Sequence, residues 1–418
     1  MENNPAIGLF LALGIIILAS RLAGSLTRRI GQPRVLGELI VGVILGPTLI
    51  DLLHGSIFHG VDLSETIHEL AELGVLFLMF IVGLEVEVKE LARVGRVALF
   101  AGFLGAVLPV ALAVPVVLAF GYAWPAALFA GVTLAATSVS ISAQVLLELG
   151  YLRTKEGNAL LATALVDDVL AILLVSVTIA ITGPGGEVAP GELLSIVGRM
   201  VLYIGGAFAI AWFVVPRLMN WIAQHPRLSQ AYGVPAFALV LMLLFAWSAE
   251  ELGGVAAITG AFLAGVGISQ ASERVEHMVE EAAGYIAYAF LVPVFFVAVG
   301  LQADLSTFPL AALPFAALLL LSAVVSKVLG CGLGARLGGF DRGASIRVGV
   351  CMISRGEVGI IIATLGLSSG VLVAGEPLFA TLFLVILLTT VLAPPLVRWI
   401  FKSKPEEEST LLEGAETT

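Results

Sequence analysis

Phe80-Ile-Val-Gly-Leu-Glu-Val-Glu87 and Val297-Ala-Val-Gly-Leu-Gln-Ala-Asp304 are two apolar stretches of one pattern, 217 residues apart. A second pair, Ile40-Val-Gly-Val-Ile-Leu-Gly46 and Ile258-Thr-Gly-Ala-Phe-Leu-Ala264, recurs at an offset of 218. Apolar helices resemble one another by chance, so each match alone says little. The shared offset says more, because it makes the chain two related halves. What the repeat means depends on the direction in which each copy runs, and that follows from composition and charge.

The chain has 418 residues, 59% of them hydrophobic and 12% charged. Soluble domains average about 25% charged residues, and single cores stop growing near 250–300 residues. A chain this long and apolar needs a bilayer as its solvent. The 46 glycines suit close helix packing in lipid. The net charge of −10 identifies no partner, because charge is sorted by membrane side. Cys331 and Cys351 lie in apolar stretches without metal-ligand spacing and read as small buried hydrophobes. No basic n-region precedes the first apolar run, so a cleaved signal peptide is not expected.

A spanning helix needs about 20 apolar residues. Apolar runs between polar breaks give thirteen spans: 7–24, 34–50, 67–85, 97–120, 124–147, 157–182, 193–215, 231–249, 254–271, 280–301, 309–334, 345–369 and 376–401. Basic residues fall on one side of this count. Arg21, Arg28, Arg29 and Arg34 follow span one, and Lys89, Arg93 and Arg96 follow span three. Arg153 and Lys155 follow span five, Arg217 and Arg227 span seven, and Arg274 span nine. Arg336, Arg342 and Arg347 follow span eleven, and Arg398, Lys402 and Lys404 close the chain. Loops after even-numbered spans hold none. By the positive-inside rule the N-terminus is outside and the C-terminus cytoplasmic. Span three then runs inward and span ten outward. Two six-span halves of opposite orientation around a linker span are the inverted repeat of many secondary transporters.

Asp167 and Asp168 sit mid-span in Ala164-Leu-Val-Asp-Asp-Val-Leu-Ala171. Charges at that depth are costly and point to function. Adjacent carboxylates diverge by about 100° on a helix, so one partner does not satisfy both. Candidate partners are Lys327 in span eleven and Arg355 and Glu357 in span twelve. For Arg355 simple ion pairing competes with function, since a buried pair is weak evidence of a role. Summed, Asp167, Asp168 and Glu357 against Lys327 and Arg355 leave one spare negative charge. A buried site in that state takes up a proton or a cation, which is the minimum machinery for exchange. Thr133-Leu-Ala-Ala-Thr-Ser-Val-Ser-Ile-Ser142 in span five is rich in hydroxyl and small residues, and 217 added to Thr137 lands on Ser354. Both helices are expected to unwind there and to place carbonyls and half-helix ends around the aspartates. Oxygen ligands suit a hard monovalent cation, with Asp168 and Asp167 as its carboxylates. Glu38 reads as packing or surface, Glu69 and Glu72 as interfacial, and Arg199 as snorkelling outward. Glu250 and Glu251 fall in an outer loop, and His54, His59 and His68 are too scattered for a metal site.

On Gln32-Pro-Arg-Val-Leu-Gly-Glu38, Gly42, Leu45-Gly-Pro47, Ala136-Thr-Ser-Val139, Asp167-Asp168, Lys327-Val-Leu-Gly330 and Arg355-Gly-Glu357, the chain resembles the monovalent cation:proton antiporter-2 family. It looks most like the bacterial NapA-like sodium/proton antiporters, from about Gln32 to Ile400. The resemblance implies an all-α membrane protein of the NhaA/NapA-like antiporter fold, neither an enzyme nor a cofactor carrier. Asp168 would be the main ion- and proton-binding carboxylate, and Asp167 would pair with Lys327 in one state. Glu357 would lie near that lysine, and Thr137 and Ser138 at the broken crossover. Residues 7–85 and 231–301 would form a dimer scaffold, 97–182 and 309–401 a mobile core, and 193–215 a linker, all within a membrane domain ending near 402. The expected activity is electrogenic exchange of Na+ or Li+ for protons across a bacterial inner membrane by a homodimer, with lipid as surroundings and no nucleic acid. K+/H+ exchange, or a cation channel or sensor, stays open as an alternative; an anion symporter is disfavoured by the aspartate pair. Ser140 and Gln144 depart from the family pattern, where glycine and arginine are common. The acidic tail from Pro405-Glu-Glu-Glu408 is too short for a regulatory domain and reads as disordered.

Overall fold

The computed structural model describes residues 5–54, 63–86, 88–182, 190–303, 308–373 and 376–402. The tail from 403 on, with Lys404, lies outside the described residues, as do Glu87, Asp304 and His59 and the side chains of His54, Glu357 and Lys402. The described chain is helical. Its first part comprises α1 (Pro5–Arg29), α2 (Arg34–Leu45), α3 (Ser64–Leu84), α4 (Val88–Arg93), α5 (Gly95–Ala119), α6 (Trp124–Ala135), α7 (Val139–Leu149) and α8 (Lys155–Thr182). Then come α9 (Pro190–Phe213), α10 (Val215–Gln224), α11 (Pro226–Ser229), α12 (Gly233–Ser248), α13 (Ala257–Ile268), α14 (Glu273–Ile286) and α15 (Val292–Leu301). The last are α16 (Leu313–Leu337), α17 (Arg342–Cys351), α18 (Gly356–Ser368) and α19 (Pro377–Lys402).

Ten helical segments among the described residues are long and apolar enough to cross a membrane. Large apolar side chains also face outward, among them Phe10 at 69% and Leu202 at 77% exposure. Surfaces of that kind need lipid, so the chain is a multi-pass membrane protein. The other three expected spans fall on shorter pieces: α2 and α13, of 12 residues each, and the pair α17–α18.

Local chemistry sets these lengths. Span two was expected to reach residue 50, yet α2 stops at Leu45. Gly46 is extended ahead of Pro47, as a residue before proline tends to be. α14 and α15 are joined by a π-helical turn, Ala287–Leu291, beside Pro293, which has no N–H to give an earlier carbonyl. At the basic end of the bundle, the Asp341 side chain caps α17 by accepting from the Ala344 N–H at 3.1 Å. That bond, with Lys155 at 3.0 Å, holds the Asp341 carboxyl down to about 2.

Two sets of helices pack most closely. In one, α3 lies against α13 and α15, and α2 against α15. In the other, α5 lies against α16, α6 and α8, and α16 against α17 and α19. The α5–α16 seam is built on glycines four apart. Gly330, Gly334 and Gly338 meet the backbone of Leu104, Phe100 and Val97. A Cβ on Gly334 would stand 2.3 Å from the Phe100 carbonyl oxygen. Gly334→Ala should therefore lower stability by about 1–3 kcal/mol. Gly206→Ala in α9, where a Cβ meets nothing within 4 Å, should be neutral or stabilising. Melting curves in detergent compare the two; equal melting temperatures would show that the seam is not tightly packed.

Candidate functional site

Two helices break where small and hydroxyl residues were concentrated in the sequence. α6 ends at Ala135, Ala136 and Ser138 are extended, and α7 starts at Val139. α17 ends at Cys351, and α18 starts at Gly356. The breaks cross: the Ser138 N–H donates to the Ser354 carbonyl at 2.9 Å. Gly356 is required there on two grounds. Its φ is +36°, and a Cβ would stand 2.5 Å from the Ser138 side chain. Its N–H donates to Thr390 Oγ1 of α19 at 3.1 Å.

A broken helix leaves carbonyls without partners, and side chains must collect them. Arg355 does most of this. Its guanidinium donates to the carbonyls of Ile353 (2.8 Å) and Met352 (3.3 Å), and to that of Ala323 on α16 (2.7 Å). Ser142 of α7 donates to the Cys351 carbonyl. Arg355 is fully buried and places positive charge at the C-terminal end of α17, where the helix dipole favours it. Its observed bonds are to backbone rather than to a single carboxylate, although Asp167 is near enough for the charges to interact.

The two aspartates diverge, as their adjacency on α8 requires. Asp167 is 1% exposed, and its Oδ1 accepts from Lys327 Nζ at 3.0 Å. Lys327 is fully buried, with Gly105 of α5 and Cys331 beside it. Asp167 Oδ2 has no protein hydrogen-bond partner. Asp168, half-buried, points elsewhere: its Oδ2 accepts from Thr259 Oγ1 of α13 at 3.1 Å. Asp168 lines a small cavity with Met79, Val139, Ile258, Thr259 and Phe262. The Thr137 and Ser354 hydroxyls, one at each break, are buried without hydrogen-bond partners. Carboxylate and hydroxyl oxygens are the donor set for a hard monovalent cation rather than a soft transition metal.

The structure thus joins Asp167 to Lys327 and Ser138 to the span-twelve break. Asp168 is hydrogen-bonded to Thr259 of α13. Glu357 follows the break, within the first turn of α18. Among the described residues no group of three or more His, Cys, Asp and Glu could hold a metal ion; His68 pairs with Glu72 at 3.4 Å. Arg199 lies against Gly254, at the loop before α13. Glu38, read as packing or surface, is 4% exposed and accepts from Ser20 Oγ at 3.1 Å.

Sequence reasoning missed two features. Thr259 stood inside a quoted repeat stretch, but nothing local shows that its hydroxyl reaches a residue 91 positions away. The other is a cavity of about 400 Å3 lined by Arg34, Glu38, Gln144, Glu148, Tyr288 and Arg398, among others. It lies between α2 and α15 on one side and α7 on the other. Glu148 bridges it, accepting from the Arg34 N–H at 2.9 Å and from Gln144 Nε2 at 3.2 Å.

A helical multi-pass chain with two crossed helix breaks beside a buried carboxylate–lysine pair belongs among ion-handling membrane proteins by its geometry alone. The family described as sodium/hydrogen exchanger, transmembrane, matches residues 14–403, and the chain belongs to it. It is similar to the Na(+)/H(+)-K(+) antiporter GerN of Bacillus cereus, at 36% identity over 94% of this chain and 97% of that one. It is also similar to a Na(+)/H(+) antiporter of Enterococcus hirae, at 34% identity over 93% and 97%. Among solved structures it shares the fold of the sodium proton antiporter MjNhaP1 of Methanocaldococcus jannaschii, with a TM-score of 0.70, 15% identity and coverage of 95% and 99%.

Proposed function

We propose that this chain is a secondary active antiporter that exchanges Na+ or Li+ for protons by alternating access. The observation that carries the proposal is the division of labour between neighbouring carboxylates. Asp167 is tied to Lys327, while Asp168 turns away to a small cavity between the two helix sets. Asp168 is then the group that trades proton for cation. Asp167, the Thr137 hydroxyl and the Ser138 backbone supply further oxygens, with Arg355 and Glu357 balancing charge around them. The names of the relatives, both Na(+)/H(+) antiporters, support the same reading. K+ is the second candidate, because the Bacillus cereus relative is named for K+ as well.

The finer architecture proposed is thirteen spans in two inverted halves. Its support is the element spacing. Shifted by 217, α5 falls on α16, α6 on α17, α7 on α18 and most of α8 on α19. Residues 97–182 and 309–401 form the mobile core and 7–85 and 231–301 the dimer scaffold, with 193–215 as linker. The cavity at Glu38 and Glu148 lies between core and scaffold and supplies the cytoplasmic approach. The N-terminus is outside and the C-terminus inside, in an inner membrane, on the charge sorting of the loops.

Proteoliposomes with an acid interior and a fluorescent proton probe test this. Na+ or Li+ added outside should dequench the probe, and K+ should do so if the second candidate holds. Absence of a response to all three ions would overturn antiport.

A further inference from the structure

We propose that Thr259 is a positioning residue of the exchange reaction: its hydroxyl, carried by the helix set of α3, α13 and α15, holds the Asp168 carboxylate at the seam between the two sets. This rests on the reading of Asp168 as the exchanging group.

Thr259 is 3% exposed and lies in the first turn of α13, which packs on α3, α12 and α9. Asp168 is on α8, which packs on α5, α6 and α7. Their 3.1 Å hydrogen bond therefore joins the two sets at the carboxylate itself. A threonine hydroxyl has one proton to donate. Here it goes to a carboxylate on another helix. The rest of the cavity lining, Met79, Val139, Leu161, Ala164, Leu165, Ile258 and Phe262, is apolar. The charged groups placed nearby are Asp167, next in the chain to Asp168, paired with Lys327 of α16 and within charge range of Arg355, and Arg199 beside Gly254, in the loop before α13.

Thr259 thus fixes the direction in which the Asp168 carboxylate points in this conformation. The bond must break when the core moves relative to the scaffold, so the same contact registers which state the site is in.

Thr259→Val keeps the shape and removes the donor; Thr259→Ser keeps the donor. Exchange by proteoliposomes over a Na+ concentration series reads both. Thr259→Val should raise the KM for Na+ roughly tenfold, since a hydrogen bond to a charged group has about that weight. The effect on KM should exceed that on kcat, and Thr259→Ser should stay near wild type. Should Thr259→Val not fold, Thr259→Ala is read in the same way. Asp168→Asn is measured alongside. If it is inactive while Thr259→Val leaves KM unmoved, Thr259 has only a packing role. If Asp168→Asn exchanges, the exchanging group is misassigned and the proposal falls with it.

Discussion

Asp168→Asn should reduce cation-dependent proton movement to background while the protein stays folded. Asparagine keeps the shape of the side chain and retains an acceptor for the Thr259 hydroxyl, so the contact to α13 can persist. What it loses is the ability to release a proton and to offer a negative charge. Both are needed in each half-cycle, so the loss is of turnover itself and not of affinity alone. Stability should move the other way. A carboxylate at membrane depth costs of order 2.5–3.5 kcal/mol on insertion scales. Removing its charge should leave the melting temperature in detergent equal or higher. Asp167→Asn should behave differently, because it leaves the fully buried Lys327 without its ion-pair partner. Wild-type exchange by Asp168→Asn would mean that another group carries the proton.

Much of the framework could be read from residue types alone. The breaks in span five and span twelve were legible because Thr137, Ser138 and Ser354 are poor helix formers placed in otherwise strong helices. The divergence of the two aspartates was legible because helix geometry allows little else. That Lys327 would pair with one of the aspartates was legible because two buried opposite charges in one bundle seek each other; the choice of Asp167 rested on the family resemblance. The short lengths of α2 and α13 were harder to see. Apolar residues continue past α2 to Ile50, and Gly254-Val-Ala256 precede α13, so hydropathy extends both spans. Gly46–Pro47 stops α2, whereas left-handed Gly254 ends the π-helical turn Ala249–Gly253 and α13 begins only after Ala256. The bonds of Arg355 to carbonyls, and of Thr259 to Asp168, could not be read. Each depends on where a distant helix places its backbone or side chain, and no local pattern encodes that.

Lys327→Gln should remove voltage dependence and also destabilise the fold. In the wild type the Lys327 ammonium and Asp167 are 3.0 Å apart and sealed from solvent. Removing one partner of such a pair costs about 3–5 kcal/mol, because a buried charge is left behind. Glutamine offers an amide donor in return, and Asp167 can take up a proton, so the measured loss should fall towards or below the lower end. Adding Asp167→Asn to Lys327→Gln should recover much of it, since the double variant has no charge to strand. The functional consequence follows from counting. If cation binding loosens the Asp167–Lys327 pair, the lysine proton becomes a second proton that travels in exchange. Two protons against one cation move net charge. One charge crossing 100 mV is worth about 2.3 kcal/mol, so wild-type exchange in proteoliposomes should respond to a potassium-diffusion potential. Lys327→Gln keeps the Asp168 proton but lacks the second one. Whatever exchange it retains should be electroneutral and indifferent to the same potential. Wild-type exchange that ignores voltage would reduce Lys327 to a structural tether for Asp167, with the proton–cation trade confined to Asp168.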